Sequence, residues 1–431
     1  MKKLNILLLT LLVSFSGLAQ QTPAPKQSNA YSIEGATLHM GNGKVIENAL
    51  IMFDNGKITF VGSAMMKIAR KGEIIDAKGK HVYPGFIAPN STLGLVEVDA
   101  VRASDDEDEI GAMNPHVRSI IAYNTESKVV ESMRPNGILM AQITPRGGRI
   151  SGTSSIVQLD AWNWEDAIIK EDDGIHLNWP SAYSRGRWWL GEPRILKENK
   201  NYSKEVEELV QFFSQNNAYQ TSDKNPKNLP FEALNGLTDG SKTLYVHVDK
   251  EKGITDAINF SKAQNIKNMV IVGGYEANKV TDLLKENNIP VLLQRVHSLP
   301  NNTDDDYDLP FKLATELVNA GVLVGLENAG DMERMNTRNL PFLAGTTVAY
   351  GLTKEQALSL ITYNTAKILG VDDTVGSLEV GKDATLFISE GDALDMRTNK
   401  LTKAFIQGRD ISLETHQTEL AKRYSEKYKN Q

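Results

Sequence analysis

Three side chains with acid, base or ligand chemistry close apolar runs: His247 in LYVHVD, His297 in VLLQRVH and Glu327 in GVLVGLE. Converging from the ends of such runs, they offer either a site for one divalent, Zn-type ion, with His247 and His297 as ligands, or an acid–base pair of His247 and Glu327. The alternative for each histidine is a hydrogen-bonded side chain within the core. A second group lies in TPRGGRISGTSS, Thr144 to Ser155. Its glycines at 147, 148 and 152 allow close backbone approach, and Arg146 and Arg149 suit a carboxylate or other anion, Arg146 first. No Gly-Lys-Ser/Thr follows, so this is not a nucleotide-phosphate loop, and a tight turn fits the segment equally well. Gly152 to Ser155 does not read G-x-S-x-G, so a serine nucleophile has little support. The acidic run Asp304, Asp305, Asp306 and Asp308 is either an oxygen site for a hard cation or a solvated loop. Trp162, Trp164, Trp179, Trp188 and Trp189 read as one long insertion over a barrel mouth, either stacking on a ligand or forming a satellite apolar cluster.

The elements that must position these groups alternate. GFIAP, GILMAQITP, SSIVQL, TLYVHVD, NMVIVGG, IPVLLQRVH and GVLVGLE are strand-like. ITDAINFSKAQN, EANKVTDLLKENN and PFKLATELVNAG have helical spacing. Strand and helix in alternation predict an α/β fold, a TIM-like (β/α)8 barrel over residues 84–365. Before it, YSIEGATLHM and GNGKVIENALIMFDNGKITFVG carry hairpin turns at Gly-Asn-Gly and Asp-Asn-Gly. VGSLEVGKDATLFIS and KAFIQGRDI repeat that alternation after it, and residues 412–431 read as a charged surface helix.

Residues 1–19 read as a secretory signal: Lys2 and Lys3, an apolar run from Leu7 to Val13, then Gly17-Leu18-Ala19. Export to the periplasm or medium of a bacterium is expected, with no membrane span after cleavage and a polar linker over residues 20–30. The chain has no cysteine, which excludes disulfides, thiolate metal sites and cysteine nucleophiles. With 54 acidic against 47 basic residues the net charge is −7, and loss of the two leader lysines makes it more negative. Nucleic acid is therefore a poor partner.

HVYPGFIAPNSTLGL, His81 to Leu95, resembles the first barrel strand of the amidohydrolase superfamily, imidazolonepropionase-like branch, usually PGFID-A-H-x-H. Pro84, Gly85, Phe86, Ile87, Leu93 and Gly94 match, while Asn90 and Thr92 stand at the two histidine positions. VGSLEVGKDATLFI resembles the family's closing phrase, with Ala384 kept and Thr385 where an aspartate is usual, and TYNTAKILGV resembles the preceding helix. The resemblance implies a small β-sandwich built from residues 31–83 plus 366–411 beside the barrel. It also implies a hydrolase of non-peptide carbon–nitrogen bonds with one or two divalent metal ions. His247 matches the fifth-strand histidine; Gly273 stands at the sixth-strand histidine; Asn328 or Ala329 stands at the eighth-strand aspartate, with Asp331 further along. The expected metal site is thus degenerate, leaving Arg146, Asn90 and Thr92 for a small-molecule substrate. The alternatives are an inactive relative that binds a small molecule, or one that supports an active amidohydrolase-like partner. A homodimer is also open.

Overall fold

The computed structural model describes residues 22–429 apart from residues 188, 189, 194 and 331. The expected leader, Trp188, Trp189 and Asp331 lie outside the described residues. Strands β1 (Tyr31–His39), β2 (Val45–Asp54), β3 (Lys57–Ser63), β4 (Glu73–Asp76) and β5 (His81–Pro84) open the chain. Then come β6 (Phe86–Ser91), β7 (Ile138–Ile143), β8 (Ile150–Gln158), β9 (Ile168–Asn178), β10 (Tyr183–Arg185), β11 (Leu196–Glu198), β12 (Thr243–Val248), β13 (Met269–Gly273), β14 (Val291–Leu293) and β15 (Val324–Leu326). β16 (Leu386–Ser389), β17 (Leu401–Ile406) and β18 (Arg409–Ile411) close it. The helices used below are α1 (Tyr202–Gln220), α2 (Glu251–Ala263), α3 (Leu309–Asn319), α4 (Leu340–Ala349), α5 (Tyr363–Leu369) and α6 (His416–Tyr428).

The barrel sheet runs β6-β7-β8-β9-β12-β13-β14-β15. Its strands bury both faces, β7 and β8 at every residue, because side chains fill the inside and helices cover the outside. α2 shows the complementary pattern, burying Ile254, Ala257, Ile258 and Ser261 at spacings of three and four. One strand departs from the parallel expectation: β8 is antiparallel to both β7 and β9. A parallel neighbour needs a crossover of about a dozen residues or more, and neither link to β8 is that long. The glycine segment between β7 and β8 is the tight turn, with Gly147 and Gly148 at φ of +77° and +59°.

β15 and β6 do not pair directly, and the chain beside α5 fills the seam. Leu326 N donates to Leu360 O at 3.0 Å, and Ile87 N donates to Ile361 O at 2.9 Å. Asn364 adds a bond from Nδ2 to Val324 O at 3.0 Å. The edge groups that an open barrel would strand are satisfied in this way.

The terminal strands form a second sheet in the order β18-β17-β16-β5-β1-β2-β3, with β4 on β1. Its core is Ile33, Leu38, Ile51, Phe53, Leu386 and Phe405. The two sheets meet at Asp160, just past β8, with a side chain 1% exposed. Its carboxylate takes Arg134 Nη1 at 3.1 Å, Arg409 Nη1 at 2.9 Å and Ala24 N at 2.9 Å. The segment expected to be a linker is therefore pinned to the barrel at Ala24.

The tryptophans do not share one insertion, because barrel strand β9 runs between Trp164 and Trp179. Trp162 is exposed, whereas Trp179 is buried, edge-on to Phe260, and donates Nε1 to Tyr202 Oη at 3.1 Å. Asp160→Ala leaves two guanidinium groups facing a void. Equilibrium urea denaturation should show a loss of about 3–5 kcal/mol; a change below about 1 kcal/mol would mean that the two sheets are held by packing alone.

Candidate functional site

The end of β6 departs from strand geometry. Asn90 takes φ of +50°, in the left-handed region that Asn tolerates better than most residues, and register with β7 shifts between Ala88 and Ser91. The distortion lets Asn90 offer both its oxygens to Arg146, which arrives from the β7–β8 turn. Arg146 Nη1 donates to Asn90 Oδ1 at 3.0 Å, and Nη2 donates to Asn90 O at 2.9 Å. Nη2 also meets Glu333 Oε1 at 2.6 Å, the same oxygen that accepts from Thr92 Oγ1 at 2.9 Å and Thr92 N at 3.2 Å. Asn90 and Thr92 thus bracket an arginine–carboxylate pair. Both partners are largely buried, at 21% and 12% exposure.

Glu327 follows β15 and is 2% exposed. It accepts from Ala329 N and, at 3.4 Å, from Asn90 Nδ2. Burial, with Glu333 adding to it, pushes its carboxyl up to about 8, against the opposing pull of Ala329 N and Arg146. It is therefore mostly protonated at neutral pH.

On the opposite wall His247, at the end of β12, is joined to His176 of β9 by a 2.9 Å contact between Nε2 and Nδ1. His176 Nε2 contacts Ser154 Oγ at 2.9 Å, and Ser154 Oγ reaches Asp173 Oδ1 at 2.7 Å. Tyr245 Oη and Gln142 Nε2 donate to Asp173 Oδ2 at 2.7 and 2.8 Å. Gln142 Oε1 accepts Asn90 N at 3.0 Å, so a chain of polar contacts crosses the barrel from β6 to β12. Burial and then Arg146 lower His247 to about 3; burial, His247 and Arg146 also hold His176 well below its usual value. Both rings are neutral, and His247 Nδ1 has no hydrogen-bond partner among the described residues. Ser154, His176 and Asp173 come together, yet the aspartate bonds the serine rather than the histidine. That is not the order of a nucleophilic triad.

His297 does not join this group. The chain leaves the barrel after β14, and His297 turns outward, bonding Thr346 Oγ1 of α4 at 2.6 Å and facing Phe311 of α3. The expected His247–His297 metal pair is thus corrected: the two rings point to different partners. Arg295, two residues past β14, has no hydrogen-bond or ion-pair partner among the described residues, and its Nε is buried. The acidic run is likewise committed, Asp305 to Tyr275 Oη at 2.6 Å and Asp306 and Asp308 to Lys312. Arg149 pairs with Glu205 at 3.0 Å.

Sequence reasoning missed His176, Asp173, Tyr245 and Glu333. GIHLN was itself a strand signal, hidden by the tryptophans around it; Glu333 carries no local signal.

A divalent ion does not fit these residues. Asn90 Oδ1 and the Thr92 hydroxyl are engaged with Arg146 and Glu333, His247 Nε2 faces His176, and a guanidinium already holds a positive charge there. Among the described residues no three His, Asp or Glu side chains converge as a metal group.

Two outcomes follow. Arg146→Ala leaves Glu333 buried without its cation and should cost about 3 kcal/mol, with Arg146→Ala/Glu333→Ala costing clearly less than the sum of the single variants in a denaturation cycle. Additive losses would show that the pair is not coupled. For Glu327, the unfolded carboxyl ionises near 4.5 and the folded one near 8. The folded state therefore keeps a proton between these values that the unfolded state has released, and this contribution to stability declines as pH rises through that window. Infrared difference spectra of wild type against Glu327→Gln should show a protonated carboxyl band persisting through pH 7; a carboxylate band at pH 6 would refute it.

The comparisons agree with this architecture. Residues 235–412 match the amidohydrolase family model. The chain is 22% identical over 377 residues to a 5'-deoxyadenosine deaminase of Methanobrevibacter smithii, covering 82% of each. It is 21% identical over 400 residues to an imidazolonepropionase of Flavobacterium johnsoniae, covering 85% of this chain and 90% of the relative. A crystal structure of an amidohydrolase from Thermotoga maritima superimposes with a TM-score of 0.76 at 23% identity, over 89% of this chain and 99% of that one. The family match takes in β12 to β18, and the segment with Asn90, Thr92 and Arg146 lies outside it. Residues 235–412 thus match an amidohydrolase-family domain.

Proposed function

We propose that the protein is an exported hydrolase of non-peptide carbon–nitrogen bonds in small molecules, acting at the barrel mouth without a metal-held water. The observation that carries this reading is the presence of a buried, protonated Glu327 and a buried, neutral His247 on facing walls at the C-terminal ends of β15 and β12, the end where barrel enzymes keep their chemistry. A protonated carboxyl can give its proton to a leaving nitrogen, and the neutral His247 ring can accept a hydrogen bond that orients the attacking water. The guanidinium of Arg295, without a partner among the described residues, suits a substrate that bears a carboxylate.

The test is turnover of a panel of cyclic amides, imides and amidines, with and without a carboxylate. Glu327→Gln and His247→Ala should each lower kcat/KM by about 10²-fold or more, with the far-UV spectrum unchanged. Turnover that survives both substitutions would sink the assignment.

A second reading is favoured by the saturation of Arg146, whose terminal nitrogens are spent on Asn90 and Glu333. This is a non-catalytic relative that binds a small molecule at the mouth or supports an active amidohydrolase partner. It expects ligand-dependent thermal stabilisation without turnover, or co-purification with an H-x-H-bearing barrel protein from the native host.

A further inference from the structure

The opposite end of the barrel holds a cavity of about 550 Å³, a volume in the range of small-ligand sites. It lies beneath the starts of β12 and β13, between the end of α2 and the end of α5. Lys170, Lys262, Lys267 and Lys367 line it, together with Asn268, Asn287 and Asn288, and no Asp or Glu does. Four ammonium groups without a carboxylate are out of keeping with a chain of net charge −7.

Two of the four are anchored. Lys170 Nζ donates to Leu369 O at 3.0 Å and Gly370 O at 3.4 Å, the carbonyls at the C-terminal end of α5. Lys367 Nζ sits 4.6 Å above the ring of Tyr363. Lys262 and Lys267, at and just beyond the end of α2, have no ion-pair partner among the described residues. Like charges gathered in a concavity repel one another and focus a positive potential into it. The cost is relieved when an anion enters.

We propose that this cavity binds a small multivalent oxyanion, a molecule with two or more phosphate or carboxylate groups, held between Lys262 and Lys267 on one side and Lys170 and Lys367 on the other. A singly charged anion would leave most of the positive charge unmatched. The site is remote from Glu327 and His247, and its occupancy does not depend on whether the mouth is catalytic.

Isothermal titration of the full mature chain in 0.15 M salt, with inorganic pyrophosphate and with citrate as probes, tests it. The expected result is saturable one-to-one binding of at least one probe. Pyrophosphate alone would identify phosphate chemistry, citrate alone carboxylate chemistry. Lys262→Glu/Lys267→Glu should weaken that binding about tenfold or more, equivalent to about 1.4 kcal/mol. Both side chains are exposed, so the fold should be kept. Lys422→Glu/Lys429→Glu, at the other end of the chain, should leave it unchanged. No saturable binding, or equal weakening by both double variants, overturns the proposal.

Discussion

The Arg146 guanidinium sets the electrostatics of the whole barrel mouth. It stands between the end of β6 and Glu333, fixing the distorted backbone of Asn90 and orienting the carboxylate that also holds Thr92. Its charge has consequences beyond the groups it touches. Burial keeps the His247 and His176 imidazoles neutral, and the Arg146 charge adds to it. That charge also pulls against the burial that protonates Glu327. A cation held covalently by the chain cannot be exchanged or offer an open coordination position, but it needs no external supply.

The frame that holds this cation is built from satisfied backbone. A barrel with β8 reversed and β15 parted from β6 has two weak places. The first is closed by the glycine turn that also delivers Arg146, and the second by the carbonyls of Leu360 and Ile361. One structural choice thus serves two ends: reversing β8 removes the need for a crossover helix and leaves a short turn whose arginine reaches back to β6. Asp160, at the far end of the same strand, binds the second sheet through Arg409. Strain in β8 would be felt both at the mouth and at the junction between sheets.

How far the sequence revealed this depends on whether an element is specified locally. The barrel strands and the terminal hairpins could be read because their alternation and turns are written within a few residues, as in FDNGKITFVG. Asn90 and Thr92 could be placed because the phrase around them survives, and His247 because it ends an apolar run that is a strand. His297 ends a similar run but misleads, since β14 stops at Leu293 and the chain has already turned outward. His176 was hidden by its setting among tryptophans. Glu333 was beyond reach, for its role comes from a loop folding back onto a strand some 240 positions earlier.

The barrel strands and the polar mouth are maintained by different physical forces. The strands are fixed by burial on both faces, a property of Val, Ile and Leu side chains that is indifferent to what ends each strand. The mouth is fixed by pairing polar groups, and any set that leaves none unsatisfied will serve. Asn90 and Thr92 supply an amide and a hydroxyl, which Arg146 and Glu333 complete. A partial change would be costly: the arginine without Glu333, or Glu333 without the arginine, leaves a charge buried alone. The arginine and the carboxylate are therefore kept or lost together. Among the described residues the mouth leaves Arg295 and one ring nitrogen of His247 without partners.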